Sequence, residues 1–129
     1  MSSYTATADL RPTARSVVAA RRAVTEMLTA WGAPHDLGDV ELLVSELVAN
    51  VVDHAGDESV LTVEVSLADT WLRIAVVDGS AIRPVVHELD HTAARGRGMQ
   101  IVEAVADRWG ADEHHGGKRV WVELDAPQV

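Results

Sequence analysis

The chain contains no cysteine, which removes disulfide bridges and thiolate metal sites and is compatible with a reducing cytoplasm, the expected location. It contains no phenylalanine and one tyrosine beside four tryptophans, so any core must be largely aliphatic. Lysine is nearly missing as well, since every basic residue except Lys118 is arginine. Positive charge is scarce overall: eleven Lys and Arg against twenty Asp and Glu give a net charge of −9, with a pI near 4.9. A nucleic-acid binder normally presents a basic face, so direct contact with DNA or RNA is disfavoured. A basic protein partner, or a nucleotide held by local dipoles, remains compatible. No apolar run reaches the length of a membrane span, and the opening "MSSYTATADLRPTARS" lacks the apolar segment of an export signal. Neither a membrane partner nor secretion is expected.

What is present suffices for a core. The chain has 129 residues, 47% of them hydrophobic, and residues 1–129 read as a single domain. Residues 4–9 read as a short first strand. Pro12 and Thr13 open a helix in which Val17, Val24, Leu28 and Trp31 recur at helical spacing, and Gly32 and Pro34 end it. A second helix is expected from Asp36–Asp39 to Gly56, with Val40, Val44, Leu47, Val48 and Val51 as its apolar stripe. Two strand-like runs, 59–68 and 71–78, meet at Asp69-Thr70. A polar, irregular segment extends from Gly79 to Arg97, longer than most loops in compact domains. A third helix is expected from Gly98 to Trp109. "GADEHH" and "KRVWVEL" then read as a hairpin around Gly116-Gly117. The expected fold class is α+β: a two-layer sandwich whose mixed, mostly antiparallel sheet is covered on one face by about three helices. The four tryptophans read as core or core-edge residues, and His35, His114 and His115 as exposed loop residues.

Three polar groupings stand out. Glu46, Asn50 and His54 recur every four residues, so they share one side of the second helix, flanked by Asp39 and Asp53 and set opposite the apolar stripe. Such a row is commonly a solvated face. Asparagine is an odd choice mid-helix, because its side chain competes for backbone hydrogen bonds. Beside a carboxylate base, it can offer an oxygen to a hard cation such as magnesium. Asp78 closes the apolar run "LRIAVV" and precedes Gly79-Ser80; it reads either as a turn residue or as an acceptor for an exocyclic amine, with Ser80 assisting. Gly96-Arg97-Gly98 lies directly before the third helix, where bare backbone N–H groups can meet phosphate. A P-loop is excluded, since no G-x-x-x-x-G-K-[ST] occurs.

Taken together and in order, these segments resemble the GHKL ATPase superfamily, which includes DNA gyrase B, sensor histidine kinases and anti-sigma-factor serine kinases. "ELVANVVDHAG" (46–56) looks like its first box, "VVDGSAIRP" (76–84) its second, "RGRGMQIVEAVADRWG" (95–110) its third, and "GGKRVWVEL" (116–124) its terminal strand. The resemblance implies ATP held between helices and sheet under a lid. It implies that Asn50 ligates magnesium, that Asp78 holds the adenine amine with Ser80 beside it, and that Gly96, Arg97, Gly98 and Met99 form the phosphate end. Glu46 would be the general base. A chain of this length has no room for the dimerisation helices of sensor kinases or the transducer domain of gyrase, so it is most similar to the free-standing anti-sigma serine kinases. That implies a sigma factor and an anti-anti-sigma (STAS-type) antagonist as partners, serine/threonine kinase activity on the antagonist, and a homodimer as a further expectation. Arg119 departs from the family's small polar residue, and is expected to pair with Asp78 or crowd the base.

Two other readings stay open at this point. One is a non-catalytic partner-switching module with weak or no ATP binding. The other is a small zinc hydrolase, since His87-Glu88-Leu89-Asp90-His91 fits H-E-x-x-H. Against the latter, Pro84 and Gly96 confine the segment to a short helix and no third ligand follows at a suitable spacing.

Overall fold

The computed structural model describes residues 3–11, 13–54, 60–78, 96–114 and 117–127, with the backbone alone for 53, 54, 96–99, 113, 114 and 117. The element order is β1 (Ser3–Leu10), α1 (Ala14–Trp31), α2 (Leu37–His54), β2 (Leu61–Ala68), β3 (Trp71–Asp78), α3 (Gly96–Val105), β4 (Arg108–His114) and β5 (Gly117–Leu124). The strands form one five-stranded sheet in the order β1-β2-β3-β5-β4. Every described pairing in it is antiparallel.

Alternation decides which face of the sheet is covered. Leu61, Val63, Val65 and Leu67 of β2 stand opposite Asp78, Val76, Ile74 and Leu72 of β3, and Val120, Val122 and Leu124 continue the row on β5. These apolar residues are buried together with Ala20, Val24 and Leu28 of α1, Val40, Leu43, Val44, Leu47, Val48 and Val51 of α2, and Val102 of α3. The core is aliphatic, as the composition requires. Each Val or Leu buried in full is worth about 1.5–3 kcal/mol over leaving it in water. Among the described residues no helix is long and apolar enough to cross a membrane.

Local chemistry sets the helix ends. At the start of α1 the Thr13 backbone N–H donates to Ser16 Oγ (3.2 Å), and the Ser16 hydroxyl donates back to the Arg11 carbonyl. Gly32 adopts φ 68°, and the Gly32 and Ala33 N–H groups donate to the Thr29 and Leu28 carbonyls, a Schellman ending that only glycine makes without strain. Asp36 caps α2: its Oδ1 accepts from the Asp39 N–H at 3.0 Å. Ala33 packs against the core and carries the short connection inward, so His35 is buried rather than exposed.

The third helix departs from expectation at both ends. It begins at Gly96, two residues early, and stops at Val105 rather than Trp109. The chain changes partner there: Ala106 N–H donates to Val102 O (2.9 Å), while Asp107 N–H donates to Glu123 O (2.9 Å) on the sheet. Arg108 and Trp109 then belong to β4, where Trp109 pairs with Val122. Apolar spacing in the sequence suits either state; a sheet edge waiting at Glu123 and a carboxylate pair at Glu123 and Asp125 decide it.

The other face of the sheet carries charge. Glu123, only 8% exposed, accepts from Arg73 Nη1 (2.9 Å) and Arg108 Nε (2.8 Å). Arg108 also donates to both Asp125 oxygens, at 2.6 and 3.3 Å. The Arg73 guanidinium lies 4.6 Å above the Trp121 ring, a cation–π contact. Trp31 and Trp109 pack at the core edge as expected, Trp121 lies on this charged face, and Trp71 is exposed at 38% of its surface rather than packed in the core. Trp121 also lies over Gly110, where a Cβ would come within 2.6 Å of the indole Cζ2.

Two outcomes follow from this face. Gly110→Ala should lower the unfolding free energy by about 1–3 kcal/mol in urea titrations, because the rigid indole must shift; an unchanged midpoint would mean that Trp121 moves aside freely. Arg108, through its hydrogen bonds, holds the Asp125 carboxyl below its ordinary pKa. The associated stabilisation is therefore complete above about pH 3.9, the unfolded value, and is lost as pH falls through the lower folded value. Asp125→Asn should unfold slightly earlier than wild type at neutral pH and converge with it in acid.

Candidate functional site

Successive residues of α2 turn by about 100°. On that geometry Glu46 and Asn50 lie along one flank of the buried stripe that holds Leu43 and Leu47, and both are half-buried. They are not opposite the apolar stripe, as sequence spacing implied. The opposite side holds Leu42, which is exposed, and Ala49. The reason is the width of the stripe: Leu43 joins it and pushes its edge up against the polar row. Asp39 is exposed; for Asp53 and His54 the position on the helix is the extent of the description. A half-buried carboxylate one turn from a half-buried amide has the chemistry that a base and an oxygen ligand for a hard cation would need.

β3 is buried on both faces from Leu72 to Asp78 apart from Arg73, so its final carboxylate enters the interior. Asp78 is 7% exposed and faces the helices, in register with Leu61 on one side and Lys118 on the other. A carboxylate that buried must be satisfied by partners, and Asp78 has them.

Lys118 is the residue that the sequence reading missed. Val120, Val122 and Leu124 face the helices, so by the two-residue period Lys118 does too. Arg119 points to the charged face instead, pairs with Val77 in register, and donates from Nε to Asp112 Oδ1 at 3.2 Å. The expectation that Arg119 would pair with Asp78 or crowd the base is therefore wrong: the two side chains leave the sheet on opposite faces. The apolar alternation of the last strand, already visible in the sequence, was the signal that could have found Lys118.

Gly96, Arg97, Gly98 and Met99 make up the first turn of α3. The first four N–H groups of a helix have no partner within it and carry the positive end of its dipole. α2 packs against α3, β3 and β5, so the elements bearing Glu46 and Asn50, Asp78 and Lys118, and Gly96 to Met99 surround one region. Ser80, His87 and His91 lie outside the described residues. Among the described residues no three His, Cys, Asp or Glu side chains gather as metal ligands.

Comparison with known proteins identifies the family. The model of the histidine kinase-like ATPase domain matches residues 10–124, and the chain belongs to that family. Its domain is thus of an ATP-binding kind. No curated protein sequence matches. Among solved structures, the RsbU and RsbW domains of Rv1364c from Mycobacterium tuberculosis align over 95% of this chain and 32% of theirs, at 23% identity and a TM-score of 0.70. The chain therefore spans about a third of that solved chain. The histidine kinase domain of the blue-light activated histidine kinase EL346 from Erythrobacter litoralis aligns over 70% of this chain and 44% of its own, at 22% identity and TM-score 0.56. The catalytic domain of histidine kinase ThkA aligns over 94% and 96%, at 12% identity and TM-score 0.60. At these identities the likeness is one of fold.

Because Arg119 lies on the face away from the helices, Arg119→Gln should leave ATP affinity within about twofold in calorimetry. It should change stability by less than about 1 kcal/mol, the usual ceiling for an exposed ion pair. A large loss of affinity would return Arg119 to the site.

Proposed function

We propose that the chain is an ATP-binding regulatory protein, an anti-sigma factor with serine/threonine kinase activity on a STAS-type antagonist. The observation that carries this reading is the half-buried Glu46–Asn50 pair on α2, on an element that also packs against the strand ending in Asp78 and the helix beginning at Gly96. The family match supports ATP as the ligand, and the fold similarity to a chain that contains an RsbW domain supports the regulatory setting.

The donor set fits ATP and magnesium. Asp78, a buried side-chain acceptor, suits the N–H of an exocyclic amine; Ser80 would stand beside it. The N–H groups of Gly96, Arg97, Gly98 and Met99 would donate to phosphate oxygens at the positive end of α3. Asn50 would hold magnesium through its side-chain oxygen, which matches the one or two protein oxygens that magnesium takes beside phosphates. When bound, magnesium ATP supplies the transferable phosphoryl group and the positive charge that offsets its negative oxygens. Glu46 would take the proton from a serine hydroxyl of the antagonist, help worth roughly 10²–10⁴ in rate. Lys118, in register beside Asp78, would add positive charge at the base end of this region.

Calorimetry with magnesium ATP should give binding to the wild type and a loss of about tenfold or more in Asn50→Ala and in Asp78→Asn. Equal binding by all three would mean that the site is misassigned. Glu46→Gln should keep ATP affinity yet lose phosphotransfer to the antagonist by about 10²–10⁴. Binding without any transfer by the wild type would favour the non-catalytic partner-switching module.

A further inference from the structure

The arginines whose side chains are described fall into two groups. Arg73, Arg108 and Arg119 lie in the sheet, and each has a carboxylate partner. Arg11, Arg15, Arg21 and Arg22 lie at the start of α1, and none of their guanidinium groups has an ion pair or hydrogen bond among the described residues. The interval 11–22 holds four of the eleven basic residues and none of the twenty acidic ones.

Their placement is ordered. The buried side of α1 is Ser16, Ala20, Val24 and Leu28. Directly opposite run Arg15, Val18, Ala19 and Arg22, all exposed, with Arg11 exposed just ahead of the helix. Arg15 and Arg22 are seven residues apart, about 10 Å along the axis at ~1.5 Å per residue. Val18 sits between them with 46% of its surface in water. Nothing in the core needs these charges there, because the side chains that carry them are exposed.

We propose that this face of α1 is a docking surface for an acidic segment of a partner protein, which sets Asp or Glu side chains against Arg11, Arg15 and Arg22 and an apolar side chain against Val18. Guanidinium groups grip carboxylates in a two-pronged, oriented way, and an apolar centre with a charged rim is the ordinary anatomy of a protein interface. Charge selects a compact acidic segment over a phosphate surface. Three guanidinium groups are few for a nucleic acid or an anionic bilayer, and the chain's net −9 repels any extended polyanion. The surface needs neither bound nucleotide nor phosphotransfer, so its failure and the failure of the ATP site are separate results.

The test uses the full chain and a fluorescent amphipathic helical peptide carrying Glu at four- and seven-residue steps around one Leu. A version with Gln in place of every Glu serves as control. Anisotropy should show binding of the Glu peptide that weakens with rising salt and falls by about tenfold or more in Arg15→Glu/Arg22→Glu. Asp39→Asn on α2 should bind as wild type does. Both arginines are exposed, so the double variant should keep its circular dichroism and its ATP affinity; if it does not, Arg15→Ala/Arg22→Ala supplies the same readout. The proposal is overturned by no binding, by equal binding of the Gln peptide, or by equal binding to the double variant. Tighter binding to duplex DNA or to phosphatidylserine vesicles, released by the same substitutions, overturns it too.

Discussion

Leu61, Val63, Val65 and Leu67 on β2 and Leu72, Ile74 and Val76 on β3 form one apolar surface that has to be covered, and α1 and α2 cover it. The rest of the molecule follows from that one-sided burial. Because a strand alternates its side chains, covering one face fixes what can stand on the other. The uncovered face of β3, β5 and β4 is accordingly a ladder of charge, with Glu123 between Arg73 and Arg108, and Arg119 against Asp112. The covered face ends in the few polar groups that the interior admits. Asp78 is one of them, and Lys118 stands beside it in register.

The same constraint shapes α2. Its buried stripe is wide enough to bring Glu46 and Asn50 to the seam between core and solvent. A fully exposed carboxylate would keep its water shell, and a fully buried one would need permanent partners. At the seam both side chains are held by a packed helix and still reachable by a ligand. α3 begins with two glycines around Arg97, so Gly96 and Gly98 bring no Cβ near its first N–H groups, which have no partner within the helix. Function on this reading comes from three element ends that a single packing layer holds around α2.

Much of the fold was legible because it is local. Gly32 stops α1 through a left-handed turn, and the 71–78 strand has the bounds that its apolar run implied. What sequence spacing misjudged depended on partners far along the chain. Arg108 and Trp109 continue a helical pattern well enough, and only β5 makes them a strand. The candidate residues Glu46, Asn50, Asp78 and Gly96 to Met99 were visible as residue types in order, while the side of the helix on which Glu46 and Asn50 lie required the burial of Leu43. Arg119 was misread because residue type was weighed ahead of strand parity; its neighbours Val120 and Val122 carried the answer.

The central claim is that nucleotide binds on the helix side of the sheet, in the region bounded by α2, the end of β3 and the start of α3. Backbone amide chemical shifts followed during a titration with magnesium ATP test it most directly. The account predicts shifts concentrated at residues 46–50, 78, 96–99 and 118, with little change at Glu64, Asp112 and Arg119 on the far face. Shifts centred on the far face, or none at saturating nucleotide, would contradict it.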